Sequence, residues 1–302
     1  MNSLSSIIPI PIPGFSDPFS SWSHLLAAGA AFVGAFFLYR RGRGNTARVI
    51  ALMVFSFSLI FLFSMSGVFH LLERGGVARG VLQRLDHAGI WVLIAGTFTP
   101  IHIILFRGPW RWAILSLIWI LAVTGLVLEV VFFTSFPEWL LLSFFLGLGW
   151  IGALSGVQFM RLFKDNSVRL MLAGGVFYSI GAVIDFLKWP IFIPGVIGPH
   201  EIFHIFVILG AGAHWFFIYH WAGHPVANVI TFSVHVFPTG RVVARAGGEP
   251  MIIEAASVEE FKRIVTGRVA AKFHESIQPL IRLRYIQEEH LQTMEVPQSK
   301  AH

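Results

Sequence analysis

The chain has 302 residues, of which 55% are hydrophobic and 13% are charged. Soluble domains carry about 25% charged residues, so this composition excludes an ordinary soluble protein and indicates a membrane protein. The formal net charge is +6, but the basic residues lie mostly in short loops between apolar runs, which argues against a nucleic-acid partner. Cysteine is absent, so disulfide bonds and thiolate metal sites are excluded and His, Asp and Glu remain as possible ligands.

Residues 1–21 are rich in Ser, Pro and Ile and contain no Lys or Arg. A secretory signal needs a basic start, so we expect a short N-terminal tail here, partly lying on the membrane surface. Seven apolar runs follow, each long enough to cross a hydrocarbon core of about 30 Å as a helix. They lie near residues 22–39, 49–72, 85–106, 111–133, 138–160, 168–187 and 199–221. The sequence therefore predicts an all-α membrane protein with a seven-transmembrane helix bundle over residues 22–224.

The loops between these runs differ in charge. The first, third and fifth loops carry nine basic residues, whereas the tail and the second, fourth and sixth loops carry four. Because cytoplasmic loops are enriched in Lys and Arg, this bias predicts an N-terminus outside and a C-terminus in the cytoplasm. We expect a multi-pass protein of a plasma or bacterial inner membrane in that orientation.

The character of the chain changes after the last run. Residues 231–302 hold nine basic and eight acidic residues. Thr231–Phe237 and Arg241–Ala256 are expected to form short strands, with a Gly-Gly-Glu-Pro turn. The sequence therefore predicts a small α+β soluble C-terminal appendage.

The appendage also contains one predicted helix. Ser257 and Glu260 form a capping-box pair before a run whose apolar side includes Phe261 and Phe273. A unit of about 70 residues buries a modest core, so we expect it to pack on the membrane domain or on a protein partner. It contains no recognisable catalytic motif.

The last apolar run opens with a pair of histidines. Pro199 suits the first position of a helix, where its missing N–H costs nothing. A helix that begins there places His200 and His204 one turn apart on one face. Histidines at this spacing commonly share a metal ion, usually zinc, and ionisable groups at the membrane edge are costly unless paired or functional. The alternative is a pair of histidines hydrogen-bonded between helices without an ion.

Three further polar residues are expected at the same depth. Ser66 and His70 lie one turn apart near the end of the second run, and Asp86 lies near the start of the third. The exit of the second helix and the entries of the third and seventh face the same side of a seven-span bundle. Singly, Ser66 could bond to its own helix, Asp86 could favour the helix dipole, and His70 could be interfacial. Together with His200 and His204 they match the composition of a catalytic zinc site, with three imidazoles and an open fourth position.

Three motifs in register carry a resemblance to a known family. They are Ser66-x-x-x-His70, Leu85-Asp86-His87-Ala-Gly-Ile with the later Gly96-Thr97-Phe98-Thr99-Pro100, and His200-x-x-x-His204. In this order over seven apolar runs, they resemble the hemolysin III branch of the progestin-and-adipoQ receptor family, which is adiponectin receptor-like and related to the alkaline ceramidases. The resemblance covers roughly residues 15–225. The appendage lies outside the usual short family member.

The resemblance implies a site and a reaction. It implies zinc bound by His70, His200 and His204, with Asp86 holding the water on zinc and Ser66 as a hydroxyl beside the metal. The expected function is hydrolysis of an acyl-amide lipid of the ceramide type by a membrane-embedded enzyme, with membrane lipid as substrate or ligand. In adiponectin receptors the zinc lies toward the cytoplasm and the N-terminus is inside, which differs from the orientation that the loop charges predict.

Two other functions remain open. A seven-helix receptor or sensor would use zinc structurally, and four protein ligands around the metal would favour it. A hemolysin-type pore would need a continuous polar lining, which the first, fourth and fifth runs do not offer.

His200-Glu201-Ile-Phe-His204 also matches the H-E-x-x-H signature of zinc proteases, in which Glu is the general base. No downstream Glu or His stands at the protease ligand spacing, and the run is apolar throughout. Glu201 is turned about 100° from His200 and is expected to face the loop or the membrane interface. It remains an alternative base.

Other polar residues are expected to be structural. His87 is expected to point away from the Asp86 side and to orient its surroundings or meet lipid headgroups. Asp185 is expected to pair with Lys188 or Arg84, and Glu129 to lie near the opposite end of the bundle with no assigned partner. Five further histidines are interpreted as structural: His24, His102, His214, His220 and His224.

Overall fold

The computed structural model describes residues 9–226, 229–247, 250–272 and 279–286. The chain divides into two compact units, Met1–Val226 and Ala227–His302. The described elements of the first unit are helices, and those of the second unit are a four-stranded sheet and one helix.

The described residues of the first unit form eight α-helices. They are α1 (Pro18–Gly42), α2 (Thr46–Leu71), α3 (Val77–Pro100), α4 (Gly108–Val131), α5 (Glu138–Trp150), α6 (Gly152–Phe163), α7 (Val168–Leu187) and α8 (Pro199–Trp221). Within the described residues, seven helical segments are long and apolar enough to cross a membrane, with α5 and α6 together forming the fifth. The predicted all-α seven-helix fold with a small appendage is confirmed. The orientation of the termini stays a prediction from the loop charges.

The helices differ most from the predicted runs at three spans, and α3 begins at Val77 rather than near residue 85. α1 begins at Pro18 rather than near residue 22, because proline suits the first turn of a helix. The third span continues beyond Pro100 as a π-helical turn over Ile101–Leu105, a change of register that fits the missing N–H of the proline. The fifth span breaks at Ile151, which has a glycine directly after it and another two residues before it, and glycine weakens a helix.

Close contact between α2 and α3 brings the end of one helix beside the start of the next. A Cβ atom added to Gly96 would lie 2.6 Å from Cβ of Ser58, so the two helices approach through the missing side chain. The Ser58 hydroxyl turns back and donates to the carbonyl of Phe55, at 2.7 Å. Gly89 makes a similar close approach to Leu62. Small residues drive such packing in membranes, where helix association gains little from hydrophobic burial.

A buried arginine fixes the other end of the bundle. Arg48 is 1% exposed, and its guanidinium donates to the carbonyls of Gly42, Arg43, Gly223 and His224. Burial of a cation is tolerated when its donors are satisfied, and four carbonyls do so here. The α1–α2 loop is thereby attached to the C-terminal end of α8, far from His200 at the other end of that helix.

The second unit is a mixed sheet with one crossover helix. Its elements are β1 (Val229–Val236), β2 (Val242–Ala246), β3 (Ile252–Ala255), α9 (Val258–Lys272) and β4 (Leu280–Ile286). The strand order is β3-β2-β1-β4, in which β1 pairs antiparallel with β2 and parallel with β4. The predicted strands are confirmed, and β4 is an addition that the sequence analysis did not anticipate.

α9 covers one face of this sheet. Phe261 of α9 packs edge-on against Phe232 of β1, with ring centroids 6.2 Å apart, and both are fully buried. The predicted helix cap is confirmed, since the Ser257 hydroxyl accepts the backbone N–H of Glu260, at 3.1 Å. Phe273 lies outside the described residues. Side chains alternate along a strand, and no described element covers the face opposite α9, which is called the open face.

The contact at Gly96 generates a stability prediction. Gly96→Ala should lower the free energy of unfolding by about 1–3 kcal/mol, because the new methyl group collides with the rigid Cβ of Ser58. Thermal unfolding of the purified protein in detergent measures the change. Gly175→Ala in α7 is the matched control, since no atom lies within 4 Å of its added Cβ. Equal melting temperatures for the two variants would contradict close packing of α2 on α3.

Candidate metal centre

Three imidazole nitrogens converge where α2 ends and α8 begins. Nε2 of His200 lies 3.2 Å from Nε2 of His70 and 3.1 Å from Nε2 of His204. The three ligand atoms lie within 4.8 Å of one another. His70 and His204 are buried, at 4% and 1% exposed. Among the described residues, His70, His200 and His204 form a group that could hold a metal ion.

The local sequence explains how α8 presents two of the three. The helix begins at Pro199, as predicted, and its first turn carries His200 and, one turn later, His204 on the same face. His70 comes from the last turn of α2, whose approach to α3 was described above. The prediction that the three histidines meet at one level is confirmed by these distances.

Carboxylates hold the outer nitrogens of two of these rings. Nδ1 of His70 donates to Oδ2 of Asp17 at 3.0 Å, and Nδ1 of His200 donates to Oδ1 of Asp185 at 3.2 Å. Ionised carboxylates are acceptors alone, so each Nδ1 carries the proton and each Nε2 of a neutral ring presents a lone pair. Two lone pairs that face each other at 3.2 Å repel unless a proton or a metal ion lies between them.

Two of the three distances between the nitrogens suit a tetrahedral ion. Nitrogen ligands at 2.0–2.1 Å from such an ion are separated by about 3.4 Å, close to the two contacts of His200. Nδ1 of His204 has no hydrogen-bond partner among the described residues, so no described neighbour fixes the proton of that ring on either nitrogen. The donor set therefore fits a cation that accepts neutral nitrogen ligands.

Asp17 is a site residue that the sequence analysis missed. It directly precedes α1 within the predicted tail, and its carboxylate also accepts hydrogen bonds from Arg74 and Arg79. Burial would raise the pKa of Asp17, but the hydrogen bonds from His70 and the two arginines hold that pKa below its ordinary value. A signal was present, because Asp17 is the sole acidic residue among residues 1–72.

Asp86 and Ser66 line the same cavity as His200 and His204. Ser66 is buried on α2, one turn before His70, and Asp86 lies on α3. The structure therefore places the Ser66 hydroxyl and the Asp86 carboxylate in the cavity that His200 and His204 line. Their roles beside a metal ion stay predictions.

The cavity has a volume of about 290 Å³ and extends from the histidines between α3, α5, α7 and α8. Its wall is mainly aliphatic and aromatic, and includes Leu93, Phe98, Leu142, Phe145 and Tyr178. An apolar cavity with polar groups at one end suits a molecule with a hydrocarbon tail and a polar head.

The expectation that Glu201 faces the loop or the membrane interface is wrong. It is 2% exposed and faces α1, where its Oε1 accepts the hydroxyl of Ser20 at 3.1 Å. Its Oε2 accepts the backbone N–H of Gly198 at 3.0 Å, which caps α8. Both oxygens are thus engaged in fixing the start of the helix that carries two histidines.

Glu129 is also placed differently. It was expected near the opposite end of the bundle without a partner, but it lies beside α3 at the cavity end and is 1% exposed. Its two oxygens accept Nδ1 of His87 at 2.8 Å and Nε1 of Trp91 at 2.6 Å. The error was one of direction, because α4 runs back toward the side at which α3 begins. His87 lines the cavity with Asp86.

Asp185 and His24 complete the surroundings. Asp185 pairs with Lys188 as predicted, at 3.6 Å, but its other oxygen holds His200. His24 of α1 stacks on His204 with centroids 3.8 Å apart, while its nitrogens do not belong to the histidine group. It therefore acts as a packing partner of a candidate ligand.

Comparisons with known proteins give the family. The model of the family described as "Haemolysin-III related" matches residues 15–215. The chain is 33% identical over 174 residues to "Hemolysin-3" of Bacillus cereus, covering 58% of this chain and 75% of that protein. It is 28% identical over 181 residues to the "Hemolysin-3 homolog" of Bacillus subtilis (strain 168), covering 59% and 80% respectively.

An animal protein also matches the chain, at lower identity. The chain is 27% identical over 237 residues to the "Adiponectin receptor protein" of Drosophila melanogaster, covering 68% of this chain and 53% of that protein. The resemblance that the three motifs indicated is confirmed. The family match over residues 15–215 covers more than half of the chain and includes all three histidines. The chain therefore belongs to the haemolysin-III-related family.

Proposed function

We propose that this protein is a membrane-embedded, zinc-dependent hydrolase that cleaves an acyl-amide lipid of the ceramide type. The observation that supports the proposal most is the convergence of three Nε2 atoms, two of them with lone pairs fixed by carboxylates, at the end of an apolar cavity. Neutral imidazoles at tetrahedral spacing favour zinc over magnesium or calcium, which prefer oxygen ligands.

Three protein ligands leave one position of a tetrahedral ion open. Within the described residues the candidate group contains three ligand atoms, contributed by His70, His200 and His204. This number is typical of catalytic zinc, whereas structural sites are closed by four protein ligands. When bound, zinc would lower the pKa of a water molecule and polarise a carbonyl group.

The remaining polar groups of the cavity have roles in the proposed reaction. Asp86 orients the attacking water and accepts its proton, and Ser66 donates a hydrogen bond to the oxyanion that develops on the cleaved carbonyl. Asp17 and Asp185 keep the Nδ1 protons of His70 and His200, so the Nε2 lone pairs point inward.

The cavity supports a lipid as the substrate. Its apolar wall would hold an acyl chain, while the polar end would receive the amide bond of the head. The ceramide class itself comes from the family resemblance rather than from the shape of the cavity.

Two alternatives have their own support. The Drosophila relative is named as an adiponectin receptor, which favours a receptor or sensor. The Bacillus relatives are named as hemolysins, which favours a lytic pore. The apolar cavity wall argues against a water-filled channel, so we rank the pore last.

Asp86→Asn tests the enzyme proposal. The variant should retain zinc and lose turnover by at least about 100-fold, because general-base catalysis contributes that much or more. Turnover is measured on a fluorescently labelled short-chain ceramide and zinc by elemental analysis. Glu138→Gln, which removes an exposed carboxylate from the same cavity, should change neither. Zinc-loaded wild type without turnover on acyl-amide lipids would favour the sensor, and full turnover of Asp86→Asn would exclude Asp86 as the base.

Asp17→Asn tests the outer carboxylate. Loss of its charge should weaken zinc binding by about 10–100-fold, because outer partners of this kind fix the orientation and basicity of a histidine ligand. Competition with a chelator of known affinity measures the change. Lys188→Gln, which removes an exposed partner of Asp185, is the control. Unchanged zinc affinity in Asp17→Asn would show that the charge of Asp17 does not strengthen His70 as a ligand.

A further inference from the structure

The open face of the second unit, opposite α9, carries three arginines. The strand register pairs Ser233 of β1 with Arg245 of β2 and with Arg284 of β4, so these three side chains form one row across the sheet. Arg282 stands two residues before Arg284 on the same strand and therefore on the same face. Adjacent strands are about 4.8 Å apart, which separates Arg245 from Arg284 by about 10 Å.

These arginines lack acidic partners within the part of the chain that the structure describes. Arg245, Arg282 and Arg284 are exposed, and none forms an ion pair with a described carboxylate. Glu254, an acidic residue of the open face, is paired with Arg241 at 2.7 Å. The open face therefore presents positive charge that is not neutralised by its own described residues.

Aliphatic side chains surround this charge. Leu280 of β4 is 74% exposed, Ile252 of β3 is 56% exposed, and Ile286 of β4 is 39% exposed. The register and the alternation along each strand place all three on the open face, beside the arginines. Guanidinium groups bind phosphate, and exposed aliphatic groups gain from insertion between lipid chains.

The short connection tethers the second unit to the membrane-spanning part of the chain. Trp221 ends the last membrane-spanning helix, and Val229 begins β1 eight residues later. Even a fully extended connection of that length reaches at most about 30 Å. A nucleic acid suits the face less well, because single strands stack on aromatic side chains and Tyr285 of β4 alternates to the face that carries α9.

We propose that the open face of the second unit docks on the anionic headgroups of the membrane that the seven helices span. The arginines contact headgroup phosphates, and Leu280, Ile252 and Ile286 enter the acyl boundary. This docking does not depend on zinc or on hydrolysis. Each basic residue near an anionic bilayer strengthens binding by about fivefold, so three arginines raise the docking equilibrium constant by about 100-fold over that of a neutral face.

A nitroxide label tests the proposal in the full-length protein. The chain contains no cysteine, so Leu280→Cys offers a single labelling site on the open face. The protein is placed in nanodiscs of phosphatidylcholine alone or of phosphatidylcholine with phosphatidylglycerol. Collisions of the label with oxygen, which enters lipid, are compared with collisions with a water-soluble nickel chelate. Docking predicts a label in lipid in the anionic nanodiscs and in water in the neutral ones.

Three matched variants complete the design. Thr266→Cys, on the exposed side of α9, should stay in water in both lipids. Replacing Arg245, Arg282 and Arg284 together by Gln should return the Leu280→Cys label to water. The same replacement of Lys262, Arg263 and Arg268 on α9 removes equal charge and should leave the label in lipid.

Circular dichroism and thermal unfolding show whether each variant keeps its fold. A Leu280→Cys label that stays in water in both lipids would overturn the proposal. A label shielded from both reagents would also overturn it, in favour of a protein partner on the open face.

Discussion

The hydrogen bonds from Nδ1 of His70 and His200 to carboxylates are the interactions on which the candidate site depends. Each carboxylate assigns the proton of a ring to the outer nitrogen and leaves the inner Nε2 with a lone pair. Histidines without these partners could settle as a hydrogen-bonded chain, with one nitrogen donating to the next. With the partners present, two inner nitrogens at 3.2 Å both act as acceptors, and the arrangement is stable when a cation joins them.

The fold supplies those carboxylates from two different places. Asp17 precedes α1 and is held by Arg74, which follows α2, and by Arg79 in the first turn of α3. Asp185 comes from the last turn of α7, next to the start of α8. Glu201 fixes the first turn of α8 through Gly198 and Ser20. Helices α1, α2, α7 and α8 therefore meet at one end of the bundle through polar contacts, while close packing at small residues brings α3 and Asp86 alongside.

Local periodicity and hydropathy allowed much of this to be predicted. Seven spans followed from the apolar runs, and the pairing of His200 with His204 followed from the helical repeat. The common level of His70 and Asp86 followed from the alternating direction of the spans. Each of these inferences needs just the position of a residue within its own helix.

Contacts between helices were harder to predict. Asp17 was assigned to a tail, because no sequence pattern shows that a residue before the first span folds back onto the second. Glu129 was assigned to the wrong end, although the direction of α4 was available from the same alternation that placed Asp86. The break at Ile151, the cavity beside it and β4 of the second unit depend on tertiary packing, which overrides local pattern.

Metal content of the purified protein tests the central claim most directly. Elemental analysis should find about one zinc ion per chain in the wild type and almost none in His204→Ala, which removes one of three ligands. His214→Ala is the matched control, since His214 is another histidine of α8 and bonds to the Met171 carbonyl rather than to the cluster. This variant should retain zinc. Wild-type protein without metal, or His204→Ala with undiminished zinc, would contradict the account.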